Sequence, residues 1–464
     1  GIIHATRENM DKHRPPRQSH VEGSDIEFLD RLVLNGNAAD GDAVTMNEYI
    51  ATEAGFPNVI TCDMGGTSFD VSLVAHGESA LSPQTNIDFG MTIRTPMIEM
   101  TTIGAGGGSI ASVDRGGLLQ IGPESAGSYP GPVCYGQGNT RPTVTDANVV
   151  LGRINADKPI GGKLNRLDVD RAKLAIETHI GTPLGLSVMA AAEAIIRVAN
   201  SKMAGAIRLV SIERGHDPKN FSAMPFGGGG ALHTGALMKE VGLQSALVPR
   251  YPGINSALGC TIADMRHDFV QTINGMLGSL DIDDLDRRMV QLAQQGLAML
   301  KTAGVTFGGT ALQFELDMSY QGQTHTVDVP VPLELRGDTT KVSEAAVRAA
   351  FETRYLAVYG RLLDNIPIRV LNLRVSTLGK RPKFDLTLLA PAAGVDLAQA
   401  RRGTRQVWFD GAFHETGVYE RLPLSVGEIV PGPALLEQPD ATVFIEPDLT
   451  GCVDQFGNLV ISRK

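Results

Sequence analysis

The pattern of apolar and polar positions divides the 464-residue chain into two parts. In the first part, short β-branched runs alternate with glycine-rich loops and with one long helical pattern at 186–212. There Ala, Leu, Ile and Met recur every three or four residues, which gives a helix one apolar stripe and is typical of a core helix. In the second part, helical patterns at 281–303 and 342–359 alternate with strand patterns at 311–331 and 368–379. The pattern predicts an α/β lobe followed by α+β domains.

The same pattern predicts four segments. Residues 1–30 are polar and charged and are predicted to be a poorly structured or remnant segment, and residues 31–270 form the α/β lobe. Residues 271–400 are predicted to be an α+β domain. Residues 401–464, with short strands between Pro and Gly turns, are predicted to be a small β-rich C-terminal domain.

Two shorter helices are predicted in the lobe. The first covers 46–56 and ends at Gly55, a residue type that suits a helix C-terminus. The second covers 143–154 and is predicted to have Thr145 or Asp146 as its N-cap, because a short polar side chain can accept a free helical N–H.

Composition narrows the functional classes. The formal net charge is −10 and no basic run is present, which argues against nucleic acid or an anionic membrane as a partner. The four cysteines contain no CxxC pair, which favours a reducing cytoplasmic compartment over a disulfide framework. No apolar run reaches the ~20 residues of a membrane helix. The 53 glycines are concentrated in a few loops, which indicates sites lined by backbone.

NVITCDMGGTSFDVSLV, at 58–74, predicts a hairpin whose turn suits phosphate and magnesium. Asp63, at the end of the first strand, can hold Mg²⁺ through its water shell, and Asp70 can share the metal or orient a water. Between them, glycines let backbone N–H groups approach phosphate oxygens and hydroxyls add donors. These residues are Gly65, Gly66, Thr67 and Ser68. The alternative is an ordinary Gly-Gly hairpin turn with solvated carboxylates.

A second glycine loop, FGGGGALH at 226–233, follows an apolar strand and precedes a helix. Such a loop lets a nucleotide lie against backbone at a helix N-terminus. Its glycines are Gly227, Gly228, Gly229 and Gly230. Neither this loop nor GAGGGS at 104–109 fits GxGxxG, and GxxxxGK[ST] does not occur, so the Rossmann and P-loop motifs are excluded. Two glycine loops on separate strand turns predict a cleft that closes over ATP, and tight packing without a ligand is the alternative.

Six stretches, in chain order, resemble the large-subunit family of ATP-dependent hydantoinases, which also contains 5-oxoprolinases, caprolactamases and acetone-type carboxylases. They are CDMGGTSFDVSLV, TIGAGGGSIASVD, GPESAGSYPGPVCYGQG, PTVTDANVVLGRI, RVANSKMAGAIRLVSIERGHDP and FGGGGALH. RLPLSVGEIVPGPALLEQPDATVFIEPD, at 421–448, resembles the C-terminal signature of the same family. The likeness extends from about residue 31 to the end of the chain.

The resemblance implies an actin/Hsp70/sugar-kinase-like fold, in which two ribonuclease H-like lobes clasp MgATP. It also implies an enzyme that phosphorylates an amide or carbonyl oxygen, because a phosphorylated oxygen is a good leaving group. A second, hydantoinase B-like subunit then completes hydrolysis or carboxylation, which makes a hetero-oligomer the expected assembly. The expected substrate is a cyclic amide (hydantoin, 5-oxoproline or a lactam), with a ketone as the alternative.

The resemblance matches Asp63, Gly65, Gly66 and Thr67 to the family's second phosphate segment, and Gly227, Gly228, Gly229 and Gly230 to its adenosine segment. Asp63 and Asp70 are the predicted catalytic carboxylates, with Asp63 also the metal ligand, and the two glycine loops described above bind ATP. Gly106 and Gly107, in the GAGGGS loop, and His233 are predicted to contact substrate, although a histidine near a helix start is also a common structural residue.

Other polar residues have weaker patterns. Asp146 and Asn148 are candidates for substrate or phosphate contact, with helix capping as the alternative. Cys134 is predicted to be a buried apolar cysteine. DMRHDF, at 264–269, clusters His267 with acidic residues, and a solvated turn is predicted there rather than a metal site.

The chain departs from the family pattern in one respect. Family members begin with another Asp-x-Gly-Gly-Thr loop on a first lobe, and this sequence contains no such loop. LNGNAADGDAV, at 34–44, occupies the place of the family's SGPAAG segment without its proline. A fragment of a larger chain is expected, and a non-catalytic scaffold subunit is the alternative.

Overall fold

The computed structural model describes residues 44–82, 85–86, 92–93, 97–162, 164–391 and 393–464. The predicted segment 1–30 lies outside these residues. The helices are α1 (44–53), α2 (Val144–Val150), α3 (Val169–Ile176), α4 (Val188–Val210), α5 (Thr234–Val241), α6 (Asn255–Ile262), α7 (Ile282–Thr302) and α8 (Glu344–Tyr359), with short helical turns at Thr182–Leu184, Gly227–Gly230 and Leu397–Ala400.

The strands of the first lobe are β1 (Val59–Met64), β2 (Phe69–Ala75), β3 (Glu78–Ser79), β4 (Leu81–Ser82), β5 (Thr85–Asn86), β6 (Thr92–Ile93), β7 (Met97–Ile98), β8 (Met100–Ile103), β9 (Ser109–Val113), β10 (Leu119–Ser125), β11 (Ser222–Phe226) and β12 (Ser245–Val248). Those that follow are β13 (Met265–Met276), β14 (Gly309–Tyr320), β15 (Val327–Val331), β16 (Ile368–Lys380), β17 (Arg401–Phe409), β18 (Ala412–Glu420), β19 (Ile429–Pro431), β20 (Ala434–Glu437), β21 (Thr442–Ile445), β22 (Leu449–Val453) and β23 (Leu459–Arg463).

Among the described residues, the largest sheet has nine strands in the order β19-β22-β23-β12-β11-β1-β2-β3, with β8 also paired to β2. Its centre is parallel, because β11 runs parallel to both β1 and β12, while β1 and β2 form the predicted antiparallel hairpin. The carboxyl ends of parallel neighbours meet at one sheet edge, where α/β proteins commonly bind ligands. Here the loops after β1 and β11 meet at that edge.

Helix α4 packs against this sheet and supplies much of the main core. Its residues recur at helical spacing on one buried stripe, for example Ala192, Ile196, Ala199 and Met203. The helix begins at Val188, where the hydroxyl of the N-cap residue accepts a free N–H of the first turn, and it ends close to the predicted position. The prediction of a core helix at 186–212 is confirmed.

The second part of the chain contains a separate four-stranded antiparallel sheet in the order β13-β16-β14-β15. Helices α7 and α8 pack on it and bury Met289 and Phe351 among its apolar residues. Both helices and the strands β14, β15 and β16 lie where the alternating patterns predict them, because an amphipathic period is a local property of the sequence.

Residues 401–464 are predicted to form a domain of their own, but their strands are divided between two sheets. Strands β17, β18, β20 and β21 form a four-stranded sheet, but β19, β22 and β23 extend the large sheet of the first lobe. The link is the antiparallel pair of β23 with β12, in which Ser462 lies opposite Ser245 and Leu459 opposite Val248. The end of the chain is therefore built into the first lobe.

In the part of the chain that the structure describes, no single helix is long and apolar enough to cross a bilayer. One pair of helices, Val169–Leu184 and Val188–Arg214, passes on length and composition together, but it is bent by 85°.

Candidate functional site

One face of the β1–β2 hairpin changes from apolar to acidic along its length. Residues directly opposite each other in an antiparallel pair share a face, so each pair can be followed along the strands. Val59 and Val74 form a buried apolar pair, and Thr61 and Ser72 form a buried pair whose hydroxyls lie 2.6 Å apart. Next comes the pair of Asp63 and Asp70, which is partly exposed beside the turn.

The turn between the strands opens to solvent. Gly65, Gly66 and Thr67 are exposed, and a Cβ added to either glycine would meet no atom within 4 Å. The Ser68 hydroxyl donates to Oδ2 of Asp70 at 2.8 Å, which fixes that carboxylate toward the turn. The hairpin therefore places two carboxylates, two bare glycines and two hydroxyls at one end of the sheet.

The four-glycine loop meets the hairpin at Asp63. In the parallel pair, Asp63 lies opposite Phe226, so the loop that follows Phe226 begins beside the carboxylate. Gly227 has φ +74°, and a Cβ added to it would overlap Oδ1 of Asp63. Gly228 is exposed and has no neighbour within 4 Å of an added Cβ. The structure thus brings together the two glycine loops that the sequence analysis treated as one site.

The remaining two glycines of that loop lie against β1. A Cβ added to Gly229 would be 3.2 Å from Sδ of Met64, and one added to Gly230 would be 3.2 Å from the carbonyl oxygen of Cys62. These two glycines let the loop and the helical turn after it pack closely on the strand. Gly228 is the exposed member of the loop, while Gly227 begins the loop against Asp63 and Met64.

The residues present fit a magnesium nucleotide. Mg²⁺ is usually held by one or two carboxylates together with phosphate oxygens and water, and Asp63 and Asp70 are two carboxylates on one face. Bare glycine backbone and hydroxyls are suitable donors to phosphate. Within the described ranges, no group of three or more His, Cys, Asp or Glu residues could hold a metal ion.

The GAGGGS loop does not line this open edge. A Cβ added to Gly106 would lie 2.6 Å from the backbone N of Thr67, and one added to Gly107 would lie 2.8 Å from Oγ1 of Thr145. Gly106 therefore packs against the hairpin turn, and Gly107 packs against the first turn of α2. Their predicted contact with substrate has no support in this placement.

His233 lies inside the lobe, with 1% of its surface exposed. Its Nδ1–H donates to Oδ1 of Asn200 at 2.6 Å, and Nε2 lies 3.5 Å from Nδ2 of Asn148. Burial, followed by the charge of Arg153, lowers the pKa of His233 to about 3. The ring is therefore neutral and structural here, and the predicted contact of His233 with substrate is not supported either.

The neutral state of His233 predicts a pH-dependent stability. In the unfolded chain its pKa is near 6.5, so below pH 6.5 the unfolded state takes up a proton that the folded state does not bind. The free energy of unfolding should therefore fall as the pH drops below 6.5, by up to about 1.4 kcal/mol per pH unit from this group. Urea unfolding at pH 7, 6 and 5 measures it. His233→Asn keeps a donor to Asn200 without titrating, so an equal slope in that variant would contradict the prediction.

The N-cap of α2 is not Thr145 or Asp146, as predicted. The N-cap is Thr143, whose hydroxyl accepts the N–H of Asp146, and the Asp146 carboxylate in turn accepts the Thr143 N–H. This is a capping box, and the Thr-x-x-Asp spacing is the signal that could have identified it. Asp146 also accepts from the backbone N–H groups of Val133 and Cys134, which no local pattern predicts.

Two further predictions have clear outcomes. Cys134 is buried as predicted, and burial, followed by the charge of Asp146, raises the pKa of its thiol. The predicted solvated turn at 264–269 is wrong, because Met265–Met276 is a strand of the second sheet. Asp268 there accepts hydrogen bonds from Arg266 and Ser376, which accounts for the acidic cluster.

Comparisons with known proteins agree with this architecture. A sequence model of the hydantoinase/oxoprolinase family matches residues 31–269, and a model of the hydantoinase/oxoprolinase C-terminal domain matches residues 281–461. Caprolactamase subunit alpha of Pseudomonas jessenii is 34% identical over 96% of this chain and 64% of its own length. The gamma subunit of acetophenone carboxylase from Aromatoleum aromaticum is 33% identical over 89% of this chain and 57% of its own length.

Solved structures give the same result. Nucleotide-free acetone carboxylase superimposes with a TM-score of 0.76 at 26% identity, over 91% of this chain and 61% of that one. The ATP-dependent caprolactamase from Pseudomonas jessenii superimposes with a TM-score of 0.69 at 34% identity, over the same shares of the two chains. The present chain thus spans about three-fifths of the length of these relatives.

These matches confirm the predicted fold class, an α/β lobe followed by α+β C-terminal domains, and they cover both parts of the sequence that carry the predicted motifs. The chain belongs to the hydantoinase/oxoprolinase family.

Proposed function

We propose that this chain binds MgATP and uses it to activate a cyclic amide, such as a hydantoin, 5-oxoproline or a lactam, for ring opening. The observation that carries the proposal is the meeting of the Gly65–Ser68 turn and the Gly227 loop at Asp63. An ordinary hairpin turn does not require a second glycine loop from a distant part of the sequence beside it, whereas a bound nucleotide contacts both loops.

The residues have distinct roles in this proposal. The Gly65–Ser68 turn donates to the phosphates, and Gly227 and Gly228 allow the nucleotide to approach the backbone. Asp63 holds the metal ion, and Asp70, fixed by Ser68, shares it or orients a water. Mg²⁺, when bound, neutralises charge on the phosphate oxygens. Phosphoryl transfer needs positioning and charge neutralisation more than covalent catalysis, and these residues supply the positioning.

The chemistry follows from the leaving group. The amide oxygen attacks the γ-phosphorus and ADP leaves, which gives a phosphorylated imidate. The amide N–H proton is lost in the same step. Water then adds to the activated carbon, and cleavage of the C–N bond opens the ring and gives an acyl phosphate. A second water hydrolyses the acyl phosphate to a carboxylate and inorganic phosphate. The name of the caprolactamase relative, and the name of the family, support a cyclic amide as the substrate.

The assembly is also a proposal. The relatives are named as subunits, which implies a complex of several chains, and we propose a hetero-oligomer with a hydantoinase B-like subunit.

The four cysteines carry no disulfide, which favours a reducing, cytoplasmic compartment.

A ketone carboxylase is the second candidate. It is favoured by the superposition on acetone carboxylase and by the acetophenone carboxylase relative. The two activities are separated by measuring ATP hydrolysis with hydantoin, 5-oxoproline and caprolactam, and then with acetone or acetophenone in the presence and absence of bicarbonate. Turnover that requires bicarbonate supports the carboxylase.

Replacing Asp63 with asparagine tests the site itself. Asparagine keeps the volume of the side chain but removes the charge that attracts the metal ion, so affinity for MgATP should fall about tenfold or more. Isothermal titration of MgATP, and of ATP with EDTA, measures the effect. The wild type should prefer MgATP, and Asp63→Asn should lose that preference.

Asp170→Asn is the control, because the Asp170 side chain is 96% exposed on a helix surface and should leave the titration unchanged. A wild type that does not bind MgATP, or an Asp63→Asn variant that binds it as tightly as the wild type, contradicts the proposed site. The scaffold alternative, a chain that binds its partner subunit and no nucleotide, predicts a wild type that fails to bind MgATP with or without the partner subunit.

A further inference from the structure

The GAGGGS loop, residues 104–109, is bonded to the back of the hairpin turn. The N–H of Gly107 donates to the carbonyl oxygen of Gly65 at 3.0 Å, and the N–H of Gly108 donates to that of Gly66 at 2.6 Å. Two consecutive carbonyl groups of the turn are therefore held by two consecutive N–H groups of the other loop.

These bonds decide the direction of two further N–H groups. In a trans peptide the C=O and the N–H lie on opposite sides of one rigid unit, and the cis bonds of the described chain all precede proline. The Gly65 carbonyl shares its peptide unit with the N–H of Gly66, and the Gly66 carbonyl shares the next unit with the N–H of Thr67. Holding both carbonyls toward the GAGGGS loop turns both N–H groups toward the opposite side.

That opposite side is the open one. Gly65, Gly66 and Thr67 are exposed there, and within the described ranges neither the Gly66 N–H nor the Thr67 N–H donates to a protein acceptor. Two neighbouring N–H groups on one side of a glycine turn form a concave donor pair that suits an anionic oxygen.

Where the GAGGGS loop contacts the turn, there is no space for a side chain on the loop. A Cβ added to Gly106 would lie 2.6 Å from both N and C of Thr67, and one added to Gly108 would lie 2.8 Å from the carbonyl oxygen of Gly66. Gly106 and Gly108 are therefore explained by contact with the turn.

The GAGGGS loop is itself held from two sides. The N–H of Thr145, in the first turn of α2, donates to the carbonyl oxygen of Gly107 at 2.8 Å. The N–H of Ala126, in the loop after β10, donates to that of Gly108 at 2.9 Å. Ala126 belongs to GPESAG and Thr145 to TDAN, so both of these family-like motifs contact the GAGGGS loop.

We infer that the GAGGGS loop is a positioning element, which sets the N–H groups of Gly66 and Thr67 as a fixed pair of donors to a phosphate oxygen. Gly106, Gly107, Gly108 and Thr145 act through the turn and do not contact the ligand. The inference rests on the proposed function for the identity of the anion, and the orientation of the donors is independent of it.

The orientation is tested without ATP. In the wild-type chain labelled with ¹⁵N-glycine and ¹⁵N-threonine, amide exchange should be slow for Gly107 and Gly108 and fast for Gly66 and Thr67. Pyrophosphate, used as the probe, should shift the resonances of Gly66 and Thr67 more than those of the other two. Fast exchange at Gly107 and Gly108, or no shift at Gly66 and Thr67, would overturn the inference.

The positioning role is tested by one substitution that should weaken MgATP binding and a second that should restore it. In Gly107→Ala the new Cβ would lie 2.8 Å from Oγ1 of Thr145, so the loop or the Thr145 side chain must shift, whereas Gly107→Ala with Thr145→Ala removes that oxygen. The single variant should bind MgATP about tenfold more weakly with unchanged affinity for adenosine, and the double variant should recover within threefold of Thr145→Ala.

Other outcomes separate the two proposals. Equal losses for MgATP and adenosine in Gly107→Ala, or no recovery in the double variant, would show a general structural fault and overturn the positioning role. A wild type that shows the expected exchange and pyrophosphate shifts but binds no MgATP would contradict the proposed function and leave the donor pair intact.

Discussion

Replacing Gly227 with alanine is expected to weaken MgATP binding by at least about 100-fold, which corresponds to about 2.7 kcal/mol. Two physical effects combine at this residue. Gly227 has φ +74°, which is unfavourable for a residue with a side chain. The added Cβ would also overlap Oδ1 of Asp63 and lie 2.6 Å from the carbonyl oxygen of Met64, a backbone atom that cannot rotate away. The variant therefore separates the two loops at the point where they meet.

Gly215→Ala is the matched control for this substitution. Gly215 has φ +81°, so alanine there carries the same backbone strain, but its Cβ would meet no atom within 4 Å. It should lower the free energy of unfolding by about 1 kcal/mol and leave MgATP affinity unchanged. The measurements are isothermal titration and urea unfolding of both variants. A Gly227→Ala protein that binds MgATP within threefold of the wild type would show that the nucleotide does not depend on this meeting point.

The sequence was most informative where structure is local. The period of three to four in 186–212 predicts α4 because an amphipathic stripe needs only its own residues. The same holds for the hairpin at 58–74 and for the strand, glycine turn and helix at 222–242, which the structure confirms. The sequence also predicts that the two glycine loops, on separate strand turns, close over one ATP, and the structure pairs the two strands side by side in one sheet.

The sequence was less informative where a residue acts through a distant partner. Glycine serves two purposes here, because Gly65 and Gly66 face open space whereas Gly106 fits against the backbone of Thr67. Both loops look alike in the sequence, and only the tertiary contact distinguishes them. The burial of His233 and its bond to Asn200 were not predicted for a related reason, since Asn200 lies on another helix. The addition of β23 to β12 likewise joins strands more than 200 residues apart, a pairing that no short pattern encodes.

Asp146 takes part both in a local helix cap and in contacts with a distant loop. Its replacement by alanine is expected to lower the free energy of unfolding by about 4 kcal/mol. Its carboxylate is fully buried and accepts four hydrogen bonds. The donors are the N–H groups of Val133, Cys134 and Thr143 and the hydroxyl of Thr143. Removing the carboxylate leaves three buried N–H groups without an acceptor, and each unsatisfied group costs about 1–3 kcal/mol.

Asp168→Ala separates the loss of this network from the loss of a helix cap. Asp168 caps the next helix, where its partly exposed carboxylate accepts the N–H of Arg171 at 3.0 Å, so its removal should cost only about 1 kcal/mol. Asp146→Asn should lie between the two, because the amide keeps one acceptor oxygen but places an NH₂ group against backbone donors. Urea unfolding of the three variants gives the comparison. Equal losses for Asp146→Ala and Asp168→Ala would mean that Asp146 acts as a cap alone. A larger loss for Asp146→Ala would show that it ties the loop at Val133 and Cys134 to α2, the helix whose first turn holds the GAGGGS loop in place.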